Sequence, residues 1–171
     1  MKVTVAMFFS FLILAIPCSA QIEQGDSEVR FIFFYSRISG SEFSSGGSGS
    51  LMLSYGRFFT PRLQVGVGPR LNFSSDDDGT ETSLSGSVFA SYNLTEASKT
   101  VPYLNAEWYQ MDFSPEVGDF TDWSYITFGF GVRNFFTEYA ALNSAISYGF
   151  SLSSETEGGL LMIMSGLSFF F

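Results

Sequence analysis

Histidine is absent from this chain. That removes the side chain most often used to move protons and bind metals near neutral pH. Serines abound, but without histidine no usual base is present to activate one as a nucleophile. Cysteine occurs once, at Cys18, so no disulfide framework can hold the fold and no Cys/His metal constellation can form. No glycine-rich loop carries the lysine of a phosphate cradle. Beyond the first twenty residues no segment approaches the ~18 apolar residues of a membrane-spanning helix. Positive charge is scarce as well, with 8 Lys and Arg against 17 Asp and Glu. These absences give the expectation of a non-enzyme with no cofactor, no metal centre and no nucleic-acid partner.

Aromatics and glycine fill the space, with 21 Phe, 8 Tyr and 17 Gly. The N-terminus opens on Lys2, followed by the apolar run Val5–Pro17 and the small-residue stretch Cys18-Ser19-Ala20. This is the pattern of a secretory signal peptide cleaved before Gln21. Pro17 is a poor match to the small residue that a lipoprotein needs before its cysteine. Residues 1–20 are therefore expected to be a leader and 21–171 a single domain. Loss of Lys2 leaves seven basic against seventeen acidic residues, a net charge of −10.

The last stretch, Leu160–Phe171 (LLMIMSGLSFFF), carries no charge and alternates strictly. Leu161, Ile163, Leu167, Phe169 and Phe171 fall on one face; Met162, Met164, Gly166, Ser168 and Phe170 fall on the other. A period of two marks a strand. Seven more strands are expected upstream: Ser27–Ile38, Leu51–Phe58, Leu63–Phe73, Ser83–Asn93, Val101–Phe113, Trp123–Arg133 and Tyr139–Phe150. Four longer connections separate them, the Gly/Ser segment Gly40–Ser50, the acidic Ser74–Thr82 and Ser114–Asp122, and Ser151–Gly159. They alternate with tight turns at Thr60-Pro61-Arg62, Leu94–Thr100 and Asn134–Glu138. An internal echo, GRFFTPRLQVGVG from Gly56 and VRNFFTEYAALNSAI from Val132, places two similar hairpin junctions at one end of the molecule.

Facing decides the environment. Leu63, Val65, Val67, Leu71 and Phe73 oppose Gln64, Gly66, Gly68, Arg70 and Asn72; Ile126, Phe128, Phe130 and Val132 oppose Thr127, Gly129, Gly131 and Arg133. Glycine beside arginine suits a narrow, crowded interior, and exposed glycine weakens a strand. A water-soluble barrel is apolar inside, whereas a membrane barrel is inverted. The expected fold is thus all-β, an eight-stranded antiparallel up-and-down transmembrane β-barrel. Arg30, Arg70, Glu107 and Arg133 are expected to point into its lumen as a structural charge network, among Tyr103, Tyr109, Met162 and Met164. Glu107 is expected to pair with Arg70 or Arg30.

These features together resemble the small OmpA/OmpX-type outer-membrane barrels of Gram-negative bacteria, the outer-membrane protein β-barrel domains within the wider porin group. The carriers are the leader, the alternating strands, the two Phe-Phe-Thr junctions and the ending Leu167-Ser168-Phe169-Phe170-Phe171. The resemblance implies a cell-outer-membrane location and a monomer whose partners are lipid and the outer-membrane assembly machinery. Leu167, Phe169 and Phe171 would be the assembly signature. It further implies a role in envelope integrity or surface interaction, since the barrel enzymes of this class rely on a histidine. A small channel for ions or hydrophobic solutes and a secreted lipocalin-like barrel are the alternative readings. The longer loops, which carry Glu42, Asp76, Asp77, Asp78, Glu81, Glu116, Asp119, Asp122, Glu155 and Glu157 and no Lys or Arg, favour a divalent cation or a basic partner.

Overall fold

Alternating side chains make two-faced strands, and eight such strands can bury one face by closing on themselves. The computed structural model shows this closure. It describes residues 22–40, 43–76, 79–96, 98–110, 124–152 and 159–171. Strands β1 (Ser27–Gly40), β2 (Phe43–Phe58), β3 (Leu63–Asp76), β4 (Gly79–Asn93), β5 (Thr100–Gln110), β6 (Ser124–Thr137), β7 (Ala140–Ser151) and β8 (Gly159–Phe170) follow one another around a closed barrel. Every neighbouring pair is antiparallel, and β1 closes on β8 through Glu28–Ile32 against Gly166–Phe170.

The three tight connections lie at one end, here the turn end, together with Ile22–Asp26 and Phe171. Thr60 Oγ1 accepts from the backbone N–H groups of Arg62 and Leu63, fixing the β2–β3 turn. The exposed ion pair Arg62–Glu96 (2.7 Å) ties that turn to the β4–β5 connection. Gly25, at φ +100°, lets the N-terminal residues double back, with its N–H donating to Phe58 O.

The strands run longer than their alternation predicts. The Gly/Ser segment, expected as a loop, supplies the first half of β2, and Gly46–Ser50 pair with Phe34–Ile38 of β1. Glycine and serine are weak strand formers, but the ladder already set by Leu51–Phe58 extends through them, with Gly46–Ser50 paired to β1 and Gly47–Ser50 to β3. Likewise Ser74–Asp76 and Gly79–Thr82 continue β3 and β4 as a paired hairpin. β6 carries on through the expected turn to Thr137, with an irregularity between Phe135 and Thr137 that leaves only Glu138 and Tyr139 to reverse the chain. Pro69 sits inside β3; the β2–β3 ladder breaks between Met52–Arg70 and Tyr55–Val67, where proline has no N–H to give. Residues 1–21, which hold the expected leader, residue 97 and the tips of the four longer loops, 111–123 among them, lie outside the described residues.

The two faces are chemically opposite. Phe31, Phe33, Leu104, Phe128, Leu161 and Ile163 stand outward, Phe33 at 60% and Ile163 at 67% exposure. The inner face holds Arg, Glu, Gln, Asn, Ser and Tyr side chains. Gly131 shows how tightly that interior is filled, since a Cβ there would run into the ring of Tyr103. Gly131→Ala is accordingly expected to destabilise the barrel by about 1–3 kcal/mol through overpacking. Urea titration in vesicles checks this, and an unchanged midpoint would show that Tyr103 moves freely.

Candidate functional site: the charged lumen

The lumen is built in levels from the turn end. The lowest is apolar. Phe58, Val101, Phe135, Ala141 and Phe170 turn inward, and Ile22 tucks in from the N-terminal residues, all buried in one cluster. The Phe135 and Phe170 rings lie 4.9 Å apart, with Phe58 tilted against Phe170 at 6.4 Å. Phe58 and Phe135 are the first phenylalanines of the two Phe-Phe-Thr junctions, so the internal echo in the chain serves one floor.

A buried carboxylate, Glu28, organises the other groups gathered at this end. Its Oε2 accepts from Arg30 Nη2 (3.1 Å), Arg133 Nη2 (3.0 Å) and Gln64 Nε2 (2.8 Å), and its Oε1 accepts from Arg30 Nε (3.3 Å) and Arg133 Nε (3.4 Å). Arg133 is fully buried. It also donates to Gln64 Oε1 (2.9 Å) and Asn93 Oδ1 (2.6 Å), and its guanidinium lies over the Tyr103 ring at 4.2 Å. Tyr103 donates to Asn143 Oδ1 (2.6 Å), and Asn143 Nδ2 donates to Ser168 Oγ (3.3 Å). Seven of the eight strands contribute to this single connected layer. Its two ion pairs are nearly dry, with each acceptor oxygen holding several donors, the condition under which buried charge is tolerated.

All four charges expected in the lumen are buried there: Arg30, Arg70, Glu107 and Arg133. Their pairing differs from expectation. Glu107 makes no ion pair with Arg30 or Arg70; Glu28 takes Arg30 and Arg133 instead. Glu28 lies two residues before Arg30, on the same face of β1, and that spacing was the available signal. Arg70 has no carboxylate partner among the described residues. Its guanidinium packs on Tyr109 at 4.3 Å with Nη2 against Met52 Sδ at 3.4 Å, while its buried Nε has no hydrogen-bond partner among those residues. Glu107 Oε1 and Ser147 Oγ are likewise buried and without a hydrogen-bond partner among the described residues.

At the C-terminus Leu167, Phe169 and Phe171 point outward, and Phe169 meets Phe31 edge-on at 6.2 Å. Phe170 alone of the closing aromatics turns inward. Of the acidic loop residues, Glu81 is exposed on β4 and Asp76 ends β3; the others named above lie outside the described residues.

An outward apolar girdle around a polar, charged core is the reverse of a water-soluble barrel. No family model and no curated protein matches the chain. Solved structures do. The N-terminal β-barrel domain of Pseudomonas aeruginosa OprF is 17% identical, with a TM-score of 0.53 over 86% of this chain and 98% of that one. The outer membrane protein OprG from Pseudomonas aeruginosa is 13% identical, with a TM-score of 0.53 over 88% of this chain and 98% of that one. Facing, strand number and these likenesses agree: the chain has the fold of the eight-stranded outer-membrane β-barrels.

Proposed function

We propose that this protein is a non-enzymatic, integral outer-membrane barrel with a closed lumen, contributing to envelope integrity or surface interaction through its acidic loops. The observation that carries this reading is the double seal at the turn end, the apolar floor together with the Glu28–Arg30–Arg133 layer. An eight-stranded barrel is just wide enough for side chains to fill, and here aromatic and guanidinium groups occupy that width. The turn end would face the periplasm and the longer loops the exterior, as short periplasmic turns are the rule in such barrels. Lipid would cover the girdle, and outer-membrane assembly machinery would read Leu167, Phe169 and Phe171. A strongly acidic exterior suits a divalent cation or a basic partner better than a polyanion. The lack of histidine supports the absence of catalysis.

Fractionation and planar-bilayer recording test this together. The protein is expected in the detergent-requiring outer-membrane fraction, with unboiled samples migrating differently from boiled ones in SDS gels. Folded protein in a planar bilayer is expected to show no reproducible single-channel steps. Stable steps would overturn the closed lumen and establish a channel. Recovery in the soluble fraction would instead favour a secreted ligand-binding barrel.

A further inference from the structure

Two of the unpartnered buried atoms share one place. Glu107 and Ser147 both line a small cavity of about 10 Å³ within the lumen, together with Arg30, Asn105, Asn143 and Met164 among others. Glu107 Oε1 and Ser147 Oγ have no hydrogen-bond partner among the described residues. Both residues are more than nine-tenths buried, at 4% and 2% exposure. Arg30 gives Glu28 one hydrogen bond from Nε and one from Nη2, and its guanidinium has five N–H donors in all, beside the same cavity.

A carboxylate oxygen in a low-dielectric interior that accepts no hydrogen bond carries a desolvation penalty that native proteins rarely leave standing. The volume is that of a single water site, for which roughly 10–15 Å³ and two to four polar partners are needed. Partners of both kinds surround it, an anionic acceptor, a hydroxyl and a guanidinium. A metal cation would find the carboxylate and hydroxyl oxygens but would also stand beside Arg30, at short range and in low dielectric. A neutral molecule that both donates and accepts meets no such repulsion.

We infer that this cavity is a binding site for one water molecule, which accepts from Arg30 and donates to Glu107 Oε1 and Ser147 Oγ. Glu107 thereby joins the charge layer indirectly, as Glu28–Arg30–water–Glu107. The bridge links β1, β5 and β7 across the lumen. It stands on the geometry of the cavity and holds whether or not the barrel conducts.

Magnetic relaxation dispersion of oxygen-17 water on refolded protein in micelles tests it by counting waters held for longer than about a microsecond. Ser147→Val, which fills the cavity and removes an acceptor, is expected to lower the count by one relative to wild type. Glu107→Gln keeps a carbonyl acceptor and is expected to leave the count unchanged. Should Ser147→Val fail to refold by gel mobility, Ala145→Val narrows the same cavity from the same strand and is expected to lower the count equally. An undiminished count in the refolded valine variant would overturn the site. So would a wild-type count that is lower in sodium chloride than in choline chloride at equal ionic strength, which would assign the cavity to a metal cation.

Discussion

Replacing Glu28 with alanine is expected to destabilise the barrel by about 3–5 kcal/mol, because it removes the one carboxylate among the described residues that contacts both buried guanidinium groups. Arg30 and Arg133 share that single carboxylate, at 3.1 and 3.0 Å. Their other contacts, Asn93, Gln64 and the rings of Phe89 and Tyr103, supply hydrogen bonds and ring faces without charge. Glu28→Gln should lose less, since an amide oxygen still accepts from one arginine. Adding Arg133→Met to the alanine variant should recover part of the loss by removing one of the stranded cations, so the two substitutions should be strongly non-additive. Urea unfolding in vesicles, followed by gel mobility, measures all three. A loss below about 1 kcal/mol for Glu28→Ala would mean that water reaches this layer and screens it.

Deleting Phe169–Phe171 is expected to abolish stable closure. The closing seam between β1 and β8 spans only Glu28–Ile32 against Gly166–Phe170, and the deletion removes the Glu28–Phe170 and Val29–Phe169 pairs. It also removes the backbone hydrogen bonds between Ser27 and Phe171 and takes Phe170 out of the apolar floor. Single substitutions separate the causes. Phe170→Ala should lower stability by about 3–5 kcal/mol through lost floor packing. Phe169→Ala and Phe171→Ala, at outward positions, should cost far less stability and act on membrane insertion instead. Normal insertion and urea resistance of the truncated chain would show that the remaining strands close without this tail.

Much of this was legible in the chain because strand facing is a local property. A period of two placed Phe31 and Leu104 outward, and it placed Tyr103, Arg70 and Arg133 inward, with no knowledge of the neighbours. Strand length was less legible. Gly46–Ser50 carry no strand preference of their own, and their partners in β1 recruit them. Pairing in the lumen was least legible. Which arginine meets which carboxylate depends on height inside a barrel of tilted strands, and no local pattern encodes height. Glu28 illustrates the gap, since its parity matched Arg30 while the arrival of Arg133 from β6 could not be read from either strand.

The Glu28–Arg133 contact joins residues 105 positions apart. A link of such high sequence separation carries a large loop-closure cost, so it is expected to form late in folding, outside the nucleus. Interactions absent from a transition state act on the unfolding rate alone. The charge layer would then work as a latch, setting how long a finished barrel survives and leaving the speed of assembly to the hairpins.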